Sequence, residues 1–244
     1  MAIKTKKPAT DFVSLVSHQL RAPLTGIMWT AELFSEKEKL TKNGRQYLRN
    51  IVSLTKRMDT LVKHLLNVSR IESGRVGIAP EPLNLVEFVN ERLRALQSSC
   101  KKKGLTFVFT AHPAKLAANT DKSSLDYIFR CVMGNAVGYT PRGGKINITL
   151  SSKKHSALLI VKDTGIGIPK KEQARIFEKL FRASNAATAK TDGAGLGLYI
   201  ASEAAKLLGG KIWFESREGK GSTFYIEISL AAKARAGEKR LLPV

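Results

Sequence analysis

The chain has 244 residues, 43% of them hydrophobic, a composition that suits one or two globular domains with a real core. No run approaches eighteen consecutive apolar residues, and no apolar stretch follows Lys4, Lys6 and Lys7, so neither a transmembrane helix nor a signal peptide is expected in this chain, and the location implied is cytoplasmic, either free or as the cytoplasmic part of a membrane-bound protein. The formal net charge of +21 would suit an acidic partner, anionic lipid or nucleic acid, but the basic residues are spread along the whole chain without an aromatic-interleaved block, which argues against nucleic-acid binding as the main role.

From residue 13 the apolar positions run Val13, (Ser17), Leu20, Leu24, Ile27, Ala31, Phe34, in alternating steps of four and three. That is the heptad spacing of a helix packed on other helices. A second run repeats it: Tyr47, Ile51, Leu54, Met58, Leu61, Leu65, Val68. The polar stretch between them ends at Thr41, a suitable N-cap, so residues 8–74 read as an antiparallel hairpin. Val16, Val52, Val62 and Leu66 widen the stripes beyond what one hairpin covers, which predicts a homodimeric four-helix bundle. His18 falls one step off the seam, on the solvent-facing flank. Pro23 stands within the same helix, where it removes a backbone donor and crowds the carbonyl of residue 19.

After Ser73-Gly74 and the Pro80/Pro82 pair the periodicity changes. Residues 85–103 read as a helix ended by Gly104, 105–109 as a strand and 124–139 as a helix. A strand pair follows at 145–150 and 157–161, turning near His155. A helix at 195–208 and a hairpin of 211–215 with 222–228 close the domain. The fold class expected is α+β: the dimeric helical hairpin, then a C-terminal α/β sandwich over 75–230 with a mixed sheet and helices on one face. Residues 231–244 read as a basic, disordered tail. Cys100 and Cys131 sit in helical patterns without metal-ligand spacing and read as free buried thiols in a reducing cytosol.

Three segments of this second part carry chemistry. Asp163-Thr-Gly-Ile-Gly-Ile-Pro169 follows an apolar strand; Gly165 and Gly167 would let the backbone approach a flat ligand, and the Asp163 carboxylate can accept from an exocyclic amine such as that of adenine. Asp192-Gly-Ala-Gly-Leu-Gly-Leu198 opens a helix, and the free N–H groups there suit phosphate. Asn135, near the end of a helix, offers an amide oxygen to Mg²⁺ beside the phosphates. A glycine-rich turn alone is more often only a turn; order and spacing together are far more specific.

Ser17-His18-Gln19-Leu20-Arg21-Ala22-Pro23-Leu24-Thr25 resembles the phosphoacceptor box of two-component sensor histidine kinases. Asn135-Ala-Val-Gly-Tyr-Thr-Pro141 resembles their Asn box, Asp163 to Pro169 the first glycine box, and Gly193 to Leu198 the second. Ile176-Phe-Glu-Lys-Leu-Phe-Arg182 is similar to the phenylalanine-containing segment between them, and Gly219-Lys-Gly-Ser-Thr-Phe224 to the last strand of the adenine pocket. The resemblance spans about residues 10–230. It implies a histidine-phosphotransfer hairpin followed by a Bergerat-fold ATPase domain that binds Mg²⁺ and ATP, with a response regulator as partner. His18 would be the nucleophile, neutral at cytosolic pH, with Gln19 fixing its tautomer. Asp163 would bind the adenine amine and Thr223 support that contact through water. Gly165, Gly167 and Ile168 would line the ring, and Gly193, Gly195, Leu196, Gly197 and Leu198 would form the phosphate loop. Asn135 would hold Mg²⁺, Tyr139 and Arg182 would lie near the phosphates, and residues 170–194 would form a lid.

Four positions depart from the commonest family pattern. Gln19 stands where an acidic residue is usual, Ala22 where a polar side chain orients a hydrolytic water, Cys131 for the first Asn of its box, and Gly138 for a Lys. Gln19 cannot accept a proton, and general-base help is worth roughly 10²–10⁴-fold. Arg142 or Lys145 would have to replace the charge missing at 138. These departures favour a second reading, a degenerate kinase that binds ATP, dimerises and docks a regulator without phosphorylating itself. The intact glycine boxes oppose it.

Overall fold

The computed structural model describes residues 8–189, 193–237 and 239–241, with the side chains of residues 8–15, 18 and 99 outside the description. The chain divides after Gly74 into two compact units.

The first unit is the hairpin of α1 (Pro8–Lys37) and α2 (Lys42–Glu72). Thr41 opens α2 as predicted, its hydroxyl accepting the Gly44 N–H at 3.1 Å. Helix α1 runs through Pro23 without interruption. Gly74, at φ +68°, ends α2, its N–H donating to Ile71 O at 3.0 Å. On α1 the single seam read from the sequence is two seams, and on α2 that seam lies on the exposed face while other residues are buried. Ser17, Leu24 and Ala31 are buried, as are Thr55, Val62 and Leu66 on α2, whereas Leu20, Ile27 and Phe34 on α1 and Tyr47, Ile51, Leu54, Met58 and Leu65 on α2 are exposed. Alternate heptad positions face different neighbours in a bundle, so one series packs α1 on α2 and the other is left uncovered.

The second unit runs β1 (Glu81–Asn84), α3 (Leu85–Lys102), β2 (Thr106–His112), β3 (Ala117–Thr120), α4 (Lys122–Tyr139), β4 (Lys145–Ser152), β5 (Ser156–Asp163), a 3-10 turn (Lys170–Arg175), α5 (Ser184–Ala189), α6 (Gly197–Leu207), β6 (Lys211–Arg217) and β7 (Gly221–Ser229). The main sheet has the order β2-β4-β5-β7-β6, parallel only at β2-β4. Its rows of paired residues, such as Ile148-Val161-Phe224-Phe214 and Leu150-Leu159-Ile226-Ile212, put the apolar residues on one face under the helices. The same row logic carries Asp163 to the end of that face, in line with Ser222 and Ser216.

Two features differ from expectation. A small antiparallel pair, β1-β3, lies outside the predicted strands, because Pro82 and the four-residue length leave no alternation to read. The described residues of the tail expected to be disordered pack instead: Ala232 and Leu241 are buried, and residues 235 and 239 bridge to Ile78 and Val76, while residues 238 and 242–244 lie outside the description. Its high charge hid a handful of apolar anchors and one glycine.

Candidate active site

The first glycine box begins where β5 ends. Asp163 is 6% exposed; its Oδ1 accepts the backbone N–H groups of Gly165 (2.8 Å) and Ser222 (3.1 Å), which leaves Oδ2 for a ligand donor. Burial pushes its carboxyl above the ordinary aspartate range, against the two backbone N–H bonds that favour the charged form. A buried acceptor without a second partner suits an amine donor.

The glycines here answer to protein backbone more than to ligand. A Cβ on Gly165 would lie 2.6 Å from Asp163 Oδ1 and 2.9 Å from Tyr139 O. Gly167, at φ +65°, would collide with Arg217 O at 2.1 Å. The loop is thereby pressed on the β6-β7 turn, where the Ile168 N–H donates to Ser216 Oγ (2.9 Å), itself 2.9 Å from Ser222 Oγ. Ile166 N–H donates to Tyr139 O, tying the same loop to the end of α4.

That corrects one sequence assignment. Thr223 pairs with Lys162 and Glu215, on the sheet face opposite Asp163, so its hydroxyl does not reach the pocket. Ser222, one residue earlier and buried, is the neighbour of the Asp163 carboxylate. Strand parity decides the matter, and a box match one residue out of phase selects the wrong hydroxyl.

Helix α4 starts at the Asp121 N-cap and brings Asn135 and Tyr139 to its C-terminal half, both half-buried. The Asn135 amide makes no hydrogen bond among the described residues and is free for a ligand. Lys103, which sequence reasoning missed, donates from Nζ to the carbonyls of Val137 (2.7 Å) and Gly138 (2.8 Å). Its ammonium sits at the negative end of α4 beside Gly138. The sequence carried no local signal for it, since more than thirty residues separate the partners.

On the far side Arg182 donates to Ala186 O at 3.0 Å and lies against Gly193, whose Cβ would meet Arg182 Nε at 3.3 Å. Gly195, at φ +69°, touches the Phe181 backbone, and Leu196 and Gly197 open α6, where Gly197 faces Cys131 Sγ. Leu198 follows, half-buried, in the first turn of α6. Asn185, in α5, donates to Gly167 O at 3.0 Å and joins the segment after the first glycine box to that box. Asp192 and residues 190 and 191 lie outside the described residues. The structure thus joins Asp163, Gly165, Gly167, Ile168 and Ser222 with the Tyr139 backbone in one set of contacts, and sets Arg182 beside Gly193 at the start of the second box. On the hairpin, His18 falls within α1 with its side chain outside the described residues, while Gln19 and Ala22 are exposed.

Two family models match in tandem. Residues 9–74 match the His Kinase A (phospho-acceptor) domain, and residues 120–232 the histidine kinase-, DNA gyrase B- and HSP90-like ATPase. The chain belongs to the sensor histidine kinase family. As such a catalytic core it is 32% identical over 90% of its length to the sensor histidine kinase WalK of Bacillus subtilis, and 30% identical over 91% to the signal transduction histidine-protein kinase BarA of Escherichia coli. It spans 36% and 24% of those relatives. Full-length ShkA in complex with AMPPNP is similar over 93% of this chain and 47% of that one, with a TM-score of 0.77 and 26% identity. ThkA in complex with the response regulator protein TrrA is similar over 90% of this chain and 61% of that one, with a TM-score of 0.62 and 25% identity. No helix among the described residues of the kinase core is long and apolar enough to cross a membrane.

One strained residue of the kinase core borders the second glycine box. Leu180 has φ +62° and is 69% exposed, and a left-handed conformation costs a leucine about 1 kcal/mol. The turn lets the Leu180-Phe181 backbone meet Gly195. Leu180→Asn should relieve the strain without adding the chain entropy of glycine, raising Tm of the ATPase domain by about 2 °C. A lower Tm would mean that the leucine side chain packs against something it needs.

Proposed function

We propose that the chain binds ATP with Mg²⁺ in the ATPase domain (residues 75–230), transfers the γ-phosphoryl group to His18 on a dimeric hairpin (residues 8–74), and passes it to an aspartate of a response regulator. The observation that carries this reading is Asp163: a buried carboxylate with one oxygen held by two backbone N–H groups and the other open, in the first glycine box where it meets the end of α4. The resemblance to ShkA, solved with AMPPNP, supports a nucleotide there, and that to ThkA, solved with TrrA, supports a receiver domain as partner.

Each residue has a defined task. Asp163 Oδ2 accepts from the adenine amine, and Ser222 holds Oδ1 in place. Gly165, Gly167 and Ile168 shape the floor. The N–H groups from Gly193 to Leu198 and the positive end of α6 face the phosphates, with Arg182 and Tyr139 nearby. Mg²⁺ would shield phosphate charge. Asn135 fits it as a free neutral oxygen, and no cluster of three acidic, His or Cys ligands exists among the described residues, so the phosphates would complete the coordination. His18 acts through a neutral imidazole nitrogen in line with the γ-phosphorus; its second nitrogen carries the proton, which Gln19 can accept as a hydrogen bond but cannot remove.

Incubation with Mg²⁺ and γ-labelled ATP tests the proposal. Label that acid removes and alkali spares is expected, as for a phosphoramidate. Label stable to acid, or none at all under conditions where ATP binds, contradicts it, and the latter favours the degenerate-kinase reading.

A further inference from the structure

The family match for the ATPase ends at residue 232, yet the chain stays ordered in contacts beyond it. Lys239 O accepts the Gly77 N–H at 3.0 Å, and Lys239 N–H donates to Arg75 O at 3.2 Å. Arg235 and Ile78 exchange both backbone hydrogen bonds, at 3.1 and 3.2 Å. Between these pairs Gly237 crosses Gly77 so closely that a Cβ on Gly237 would lie 2.1 Å from Gly77 N, and one on Gly77 2.7 Å from Gly237 N. Only two glycines allow that crossing. Val76, Ile78 and Leu241 are each under 5% exposed. Residues 75–79 are the segment by which the chain enters the ATPase domain from α2.

That segment is held on its other side as well. The Ala79 N–H donates to Asp121 Oδ2 at 3.1 Å, while Asp121 Oδ1 caps α4 through the Ser124 N–H at 2.8 Å. Asp121 is fully buried, and α4 is the helix that carries Asn135 and Tyr139. The backbone of residues 75–79 therefore joins the last residues of the chain to the start of α4, and only Ser73 and Gly74 separate it from the end of α2.

We infer that residues 233–237 and 239–241 act as a strap that locks the entry segment onto the ATPase domain, leaving a two-residue hinge after α2, and that this short hinge sets the rate at which the domain serves His18. The consequence for rate rests on the kinase reading; the clamp does not. A longer free linker would lower the fraction of time that bound ATP spends in position for transfer. Opening the strap would lengthen the free linker from two residues to about six, without touching Asp163 or either glycine box.

The test compares the full chain with a chain ending at Lys233, and with Gly237→Val, which forces the crossing apart while keeping every other residue. Amide hydrogen exchange is read at Gly77 and Ile78, and label transfer from γ-labelled ATP at saturating nucleotide. In the full chain both amides should be protected. In both altered chains protection should be lost, and the rate of label transfer should fall about tenfold with KM for ATP unchanged. Protection retained in both altered chains overturns the strap, and protection lost with an undiminished rate overturns its role. A full chain that shows the protection but takes up no label counts against the kinase reading and leaves the clamp standing.

Discussion

Asp163→Asn should lower ATP affinity at least about a hundredfold while making the unliganded domain more stable. The two backbone N–H groups of Gly165 and Ser222 fix which side-chain atom faces them: it must be an acceptor, so the asparagine oxygen takes that place. Its NH₂ then points where the aspartate offered Oδ2, donor against the donor of adenine. The stability effect has the opposite sign. Burial raises the Asp163 pKa in the folded chain, so its contribution favours folding at pH below the ordinary aspartate value and is lost as pH rises through the folded value. At neutral pH the buried charge is a net cost, which asparagine lacks. Each kcal/mol relieved should raise Tm by about 2–4 °C, with the gain shrinking on acidification. Calorimetric titration with ATP and a thermal melt across pH measure both. Normal ATP binding in the variant would show that the pocket lies elsewhere.

Leu54→Lys should convert a dimer to monomer. Leu54 is 58% exposed in a single chain, and it lies in a stripe with Tyr47, Ile51, Met58 and Leu65 that α1 leaves uncovered, as it does its own Leu20, Ile27 and Phe34. A second copy of the hairpin would present the same stripes and would complete a four-helix bundle. A lysine in that interface would put two unpaired ammonium groups in an apolar core, a cost of several kcal/mol that weakens association by about a thousandfold or more. The buried seam of Leu24, Ala31, Val62 and Leu66 is untouched, so the helical content of the hairpin should persist. Sedimentation at micromolar concentration reads the result. A wild-type monomer, or a Leu54→Lys dimer, would contradict the bundle.

Periodicity made the division into two parts and the main helix spans legible, because heptads and strand alternation are local patterns. The place of Asp163 is legible for the same reason: an acidic residue at the end of an apolar strand, before two glycines. What escaped was set by distant partners. Thr223 was chosen over Ser222 because a motif does not show which sheet face a residue takes, whereas pairing with Lys162 and Glu215 does. Gly165 and Gly167 were read as room for a ligand, yet their Cβ positions are occupied by Tyr139 O and Arg217 O. Lys103 reaches Gly138 from the turn after α3, and the tail reaches Val76 and Ile78 from the other end of the domain. On α1 the two seams share one heptad pattern, and only the burial of Leu24 against the exposure of Leu20 and Ile27 separates them; on α2 the buried Thr55, Val62 and Leu66 lie outside the series of Tyr47, Ile51, Leu54, Met58 and Leu65, which is exposed.

The acceptor itself is tested most directly by sorting the four histidines. His64 lies on α2, and burial pushes its pKa down to about 4, so it is neutral at physiological pH and a neutral imidazole alone does not single out one acceptor. Position does: residue 18 stands in the stretch of α1, Ser17 to Thr25, that resembles the phosphoacceptor box. The measurement is label from γ-labelled ATP on two variants, His18→Ala and a chain with His64, His112 and His155 all replaced by glutamine. The account predicts no label on the first, with ATP affinity unchanged, and full acid-labile label on the second. Label retained by His18→Ala, or lost from the triple variant while it still binds ATP, would contradict it.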